Sequence, residues 1–169
     1  PMGMIGGVDI GRTSALCLLD EDTGAIAYAA DIQFAGGHGE QAWHTVEVAH
    51  TAMRRIWDVA YQRGDELIAC RFESEFQSRN PAVTRSLAWR RGVLTACLLR
   101  VHRNIATDAV LASEIRRLLG LPRNKAAAHT EMVRRWPETE PLTEHQRDAW
   151  AAARSLWEQE LIVTAADAA

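Results

Sequence analysis

The sequence predicts an α/β protein built on a mixed five-stranded sheet in the order βββαβαβ and flanked by helices. Three observations carry this expectation. Residues 4–34 hold three apolar runs separated only by short polar turns. The middle of the chain alternates an apolar run with stretches of helical period, and the last third is helical in pattern. Three antiparallel strands followed by strands separated by helices imply a mixed sheet with helices on both faces.

Each element follows from local chemistry. MIGGVDI (4–10) reads as a short buried strand ending in an acid, with Pro1, Met2 and Gly3 left outside the expected fold. TSALCLLD (13–20) is a second apolar strand, and DEDTGA is a turn in which Gly24 is available for positive φ. AIAYAADIQF (25–34) completes a meander, and GGHGE is a glycine-rich loop. From Glu40 to Gln62 the residues Trp43, Val46, Ala49, Met53, Ile56, Trp57 and Ala60 recur at three- and four-residue steps, as on an amphipathic helix. Residues 67–73 return to strand. Asn80-Pro81 reads as a helix start, with an Asn cap before proline at the first helical position, and that helix should reach about Arg100. NIATDAV (104–110) is the fifth strand. Three helical stretches finish the chain: one capped by Ser113 and ending at Gly120 and Pro122, one from Lys125 to Trp136, and one from Thr143, its cap, to Leu161.

The 169 residues suit a single domain, 1–169, and the 47% hydrophobic and 24% charged fractions are those of a globular protein. No run of 18 apolar residues suggests a membrane span, and the N-terminus does not read as a signal peptide. Cys17, Cys70 and Cys97 sit singly inside apolar runs, which reads as buried thiols in a reducing compartment and does not support a structural zinc. A cytoplasmic location is expected. The net charge of −3 argues against a nonspecific nucleic-acid coat protein. The cations are nevertheless clustered and almost all arginine: Arg85, Arg90, Arg91, Arg100 and Arg103, then Arg116, Arg117, Arg123, Arg134 and Arg135, with Lys125 the single lysine. Arginine's planar fork suits phosphate, although a compositional bias would produce the same excess.

The stretch RFESEF (71–76) ends an apolar strand in two acids, Glu73 and Glu75. Asp9 ends the first strand in the same way, and His145 and Asp148 share one face of the last helix. Taken singly, an Asp at a strand end is usually a cap, a Glu in a strand usually faces solvent, and a His/Asp pair on a helix is usually solvated. Together they can meet at one end of the sheet. Crowded, partly buried carboxylates repel, and a divalent cation removes that cost. Mg²⁺ takes oxygen ligands and keeps waters for a substrate phosphate. Two such ions, roughly 3.5–4 Å apart, can activate a water and stabilise a leaving oxygen. Glu75 points the same way as Glu73 under strict alternation and is expected as an accessory acid.

These residues carry a resemblance. GVDIGRTSALCLL resembles the first hairpin of RuvC-type Holliday-junction resolvases. FESEFQSRNPAVTRSLAWRRGVL is similar to their second block, SEIRRLLGLPRNKAAA to the basic region that follows, and HQRDAWAAARSLW to their third block. The four segments keep the family's order and spacing over most of the chain. The resemblance implies a ribonuclease-H-like fold and a homodimer that resolves four-way (Holliday) DNA junctions by paired phosphodiester hydrolysis with Mg²⁺, two ions per site, for which Mn²⁺ substitutes. It places Asp9, Glu73, His145 and Asp148 on the catalytic metal-binding quartet, with Asp9 between the ions. Phe76 falls on an aromatic that stacks on unpaired bases, and Arg116 or Arg117, with Lys125, on basic DNA-contacting positions. Arg79, Asn80, Arg85 and Arg123 complete the expected DNA-binding set. The helix over 81–100 carries more apolar positions than one core face requires, which fits a dimer interface.

DIGRTS in place of D-P-G-S, the charge of Arg12 and the bulk of Trp150 are departures that suggest a divergent, phage-encoded member. Other readings stay open. A ribonuclease-H-like nuclease could act on RNA–DNA hybrids or flaps, and a binding module could keep the fold without catalysis. GVDIGRTS also resembles the phosphate hairpin of ATP-binding sugar kinases, although those need two such domains.

Overall fold

The structure is a computed structural model that describes residues 3–11, 13–34, 42–74, 81–102 and 105–167. Five strands form one sheet: β1 (Gly3–Asp9), β2 (Thr13–Asp20), β3 (Ile26–Gln33), β4 (Glu66–Ser74) and β5 (Ala106–Leu111). The helices are α1 (Ala42–Arg63), α2 (Pro81–Val101), α3 (Ala112–Leu118), α4 (Lys125–Arg135) and α5 (Glu144–Asp167), with a short 3₁₀ turn at Pro137–Thr139 before α5. The spatial order is β3-β2-β1-β4-β5. β1–β2 and β2–β3 pair antiparallel, and β1–β4 and β4–β5 pair parallel. The βββαβαβ order expected from sequence is therefore present, and β1 lies at the sheet's centre with all seven residues buried.

Period-two alternation splits the core between the two faces. Leu16 and Leu18 of β2 face one layer with Met4 and Val8, under Met53 and Ile56 of α1 and Leu94 and Leu98 of α2. Ala15, Cys17 and Leu19 face the other, under Ile115 of α3, Met132 of α4 and the alanine-rich stretch of α5. Trp150 is fully buried there and packs against Trp136 at 5.1 Å between ring centroids, so its bulk fills the α4–α5 side of the core. All three cysteines are buried and free.

The approach of α5 to β1 is unusually close. A Cβ placed on Gly7 would lie 2.1 Å from the Ala149 carbonyl oxygen and 2.4 Å from the Ala153 amide nitrogen. Only a residue without a side chain lets this helix backbone rest on this strand. The start of α5 is fixed by a reciprocal cap. The Gln146 amide donates to Thr143 Oγ1 (3.2 Å), and the Thr143 amide donates to Gln146 Oε1 (3.3 Å). Thr143 Oγ1 also donates to Asp31 Oδ1 of β3 (2.9 Å), which ties the cap to the sheet.

Three local expectations are corrected. Gly3 belongs to the fold: it pairs with Glu66 in β1, and its amide donates to Glu21 Oε2 at 3.0 Å. Ser113 is not a cap, because β5 runs straight into α3 and Leu111 holds the cap position without a side-chain bond. The last helix continues to Asp167, beyond Leu161. Gly24 does take positive φ, at 67°. Among the described residues no helix is long and apolar enough to cross a membrane.

Gly7→Ala is expected to destabilise the protein by about 1–3 kcal/mol, because the added methyl meets backbone that cannot turn aside. Urea unfolding checks this, and an unchanged midpoint would contradict the contact.

Candidate metal centre

Two parallel neighbours and one helix build the site. The β1–β4 register places Val8 beside Phe72, so Asp9 and Glu73 leave the two strands side by side. Val8 and Phe72 belong to the α1–α2 face of the core, and alternation turns the two acids toward α5. Asp148 directly precedes Ala149, the residue whose carbonyl sits over Gly7. One carboxylate oxygen from each of Asp9, Glu73 and Asp148 comes within 4.8 Å of the others. Asp9 and Asp148 are buried and Glu73 is half-buried.

The electrostatics are uneven. Burial, and then the charge of Asp148, raise Asp9 to a pKa of about 6, against the opposing effect of its bond with His145. Burial and the charges of Asp9 and Asp148 raise Glu73 from 4.5 to about 8. For Asp148, burial also opposes the charge, but hydrogen bonds from His129 and Lys125 outweigh it and hold its pKa below the ordinary value. Lys125 Nζ lies 2.7 Å from Asp148 Oδ2 and 3.4 Å from Glu144 Oε1. His129 Nε2 lies 2.8 Å from Asp148 Oδ1. One ammonium, in contact with Asp148, thus also acts at longer range on Asp9 and Glu73. The donors are all oxygens, and their mutual repulsion leaves a deficit of positive charge, a set that fits a hard divalent cation.

The expected quartet is brought together with a division of labour. His145 Nδ1 lies 2.9 Å from Asp9 Oδ2, so it joins the site through Asp9. Among the described residues, the group of mutually close ligand atoms is the three acids alone. Lys125, expected at a DNA-contacting position, sits at the acids. Arg116, Arg117 and Arg123 line a groove of about 600 Å³ with Ser113 and Leu121. Arg116 is close enough to lower the pKa of Glu73, and its buried Nε has no hydrogen-bond partner among the described residues. Arg117 is paired with Glu114 through Nε at 2.8 Å. Arg85 is exposed on α2. Glu75, Phe76, Arg79 and Asn80 lie outside the described residues, as does Arg12.

The sequence does not single out His129, and it marks Arg90 and Arg91 as part of an arginine cluster without placing them beside the acids. Arg90 Nη1 donates to the Gly11 carbonyl (2.8 Å) just beyond Asp9, and Arg91 Nη1 donates to Ser74 Oγ (3.3 Å) just beyond Glu73. The available signal was spacing: His129 stands four residues after Lys125, on the same face of α4.

Compared with known proteins, the sequence matches no family model and no curated protein. Its fold is similar to that of Thermus thermophilus RuvC in complex with a Holliday junction substrate, at 14% identity over 94% of this chain and 95% of that one, with a TM-score of 0.70. A second structure of Thermus thermophilus RuvC gives 16% identity, 94% and 96% coverage and a TM-score of 0.67. The yeast mitochondrial Holliday junction resolvase Ydc2 gives 11% identity, 92% and 77% coverage and a TM-score of 0.52. This likeness shows a shared fold, the mixed sheet expected of the ribonuclease-H-like class.

The raised carboxyls have a consequence for stability. Between the unfolded and folded pKa values the folded state keeps protons that the unfolded chain has lost, so stability falls as pH rises. For Glu73 that window runs from 4.5 to about 8. In EDTA the melting temperature is expected to decline across it, and Glu73→Gln should flatten the decline. An equal slope in both proteins would contradict the crowding of these acids.

Proposed function

We propose that this chain is a metal-dependent endodeoxyribonuclease that resolves four-way DNA junctions as a homodimer. The observation that carries the reading is the group of three carboxylates at the end of β1, β4 and the start of α5, two of them pushed toward neutrality by burial and mutual repulsion. The shared fold supports it, since the Thermus thermophilus RuvC structure contains a Holliday junction substrate.

Asp9, Glu73 and Asp148 would hold the divalent cation, Mg²⁺ or a substituting Mn²⁺, and could hold a second. Bound there, such ions supply Lewis acidity and lower the pKa of water. The chain's own residues do the rest. His145 Nδ1 steadies Asp9 Oδ2 through their 2.9 Å contact. Lys125 offsets part of the acids' charge and favours an anionic phosphate beside them. Arg116, Arg117 and Arg123 would take backbone phosphates in their groove and fix the DNA's register without reading sequence. Arg90 and Arg91 hold the backbone beyond Asp9 and the side chain beyond Glu73. Buried free thiols suit a reducing, cytoplasmic setting.

For the dimer, α2 leaves Val83, Trp89 and Leu99 exposed while its Leu94 and Leu98 enter the core. An apolar groove of about 620 Å³ lies beside it, between Val46 of α1 and Val93, Ala96 and Cys97 of α2. A second copy on this face gives the two sites that paired cuts require.

The deciding experiment incubates the protein with an end-labelled synthetic four-way junction in Mg²⁺, Mn²⁺ or EDTA, beside RNA–DNA hybrid and flap substrates. Symmetric nicks confined to the junction and absent in EDTA are expected. Asp9→Asn is expected to abolish them while junction binding persists. Preferential cutting of hybrids would replace this reading with a different nuclease of the same fold. By light scattering the wild type is expected to run as a dimer and Trp89→Glu as a monomer; a monomeric wild type would remove the dimer.

A further inference from the structure

Helix α4 presents two side chains, Lys125 and His129, to the two oxygens of one carboxylate. Lys125 Nζ contacts Asp148 Oδ2 at 2.7 Å, and His129 Nε2 contacts Asp148 Oδ1 at 2.8 Å. The two partners differ in freedom. Lys125 is nearly half exposed, and its flexible stem can withdraw into solvent. The His129 side chain is 9% exposed, on a helix anchored by buried Ala128 and Met132. The helix start is fixed by Asn124 Oδ1, which accepts from the Ala127 amide at 3.0 Å. An ionised carboxylate only accepts hydrogen bonds, so His129 must carry its proton on Nε2 and donate it to Oδ1.

We propose that His129 is a positioning residue for the metal site: it locks Oδ1 of Asp148 and leaves Oδ2, the oxygen from which Lys125 can withdraw, to face a cation. This rests on the reading of the three acids as a metal site. An acid on a helix start can rotate about its χ angles and offer either oxygen, and a fixed donor on one oxygen removes that freedom before the ion arrives. Buried outer donors of this kind typically alter metal affinity by about 10–100-fold when removed. The burial of His129 against Asp148 is not required by packing alone, since an apolar residue would fill the same space without a polar nitrogen to satisfy.

The test is a Mn²⁺ titration of the full chain followed by thermal unfolding, without DNA. The wild-type melting temperature is expected to rise with Mn²⁺. In His129→Leu the Mn²⁺ concentration giving half the rise is expected to increase by about 10–100-fold, while His129→Gln, whose amide can reach Oδ1, stays near wild type. Should the leucine variant fail to fold, His129→Asn serves in its place: its shorter amide stops near the Nδ1 position and cannot reach Oδ1. Equal Mn²⁺ midpoints for wild type and the leucine or asparagine variant would reduce His129 to packing and overturn the inference while leaving the metal site intact. No Mn²⁺ response in the wild type would overturn the metal reading itself, and the inference with it.

Discussion

The contact between α5 and β1 at Gly7 is the constraint on which the site depends. A helix normally keeps side chains between its axis and a sheet. Here the Ala149 carbonyl and the Ala153 amide occupy the space a side chain on Gly7 would need. That brings Asp148, one residue before the contact, to the end of the central strand where Asp9 stands. The alanines at 149, 151, 152 and 153 are all buried and keep the interface thin. The Thr143–Gln146 cap and its bond to Asp31 fix where the helix begins, and so which residue reaches the acids. A buried strut from Arg71 holds the neighbouring strands and α5 in line: its Nη2 pairs with Asp108 Oδ2 at 2.6 Å, and its Nη1 donates to Ser155 Oγ at 3.0 Å.

What this packing assembles is electrostatically unfavourable without a guest. Removing carboxylates from water and then crowding them costs free energy twice. The fold compensates Asp148 most fully, through His129 and Lys125. Asp9 has His145, and among the described residues Glu73 has the more distant Lys125 and Arg116 charges. The asymmetry orders the acids by readiness to ionise, with Asp148 first and Glu73 last. A fold that needed these residues for stability alone would gain from replacing Glu73 by an apolar side chain. Their presence together argues for a ligand whose charge reverses the balance.

Much of this was legible in the sequence because it depends on period and on strand ends. Strand and helix positions follow from apolar spacing, and the acids stand out because a charge terminates an otherwise apolar run, as in GGVD and ACRFES. The helix that carries His145 and Asp148 is marked by its Thr cap. The roles of Lys125 and His129 were not legible. Their spacing shows that they share a face of α4, but nothing local says that this face meets α5 at Asp148. Arg90 and Arg91 were hidden for the same reason, since an arginine pair on a helix has many partners and only the tertiary arrangement chooses Gly11 and Ser74. Ser113 misled because a good capping residue was available one position inside a helix that begins directly from a strand.

Whether divalent cations sit among these three carboxylates can be read from anomalous diffraction of a crystal soaked in Mn²⁺. An anomalous peak is expected within coordination distance of Asp9, Glu73 and Asp148 side-chain oxygens, with the Lys125 ammonium moved away from Asp148. No peak there at saturating Mn²⁺, with the three acids unchanged, would contradict it.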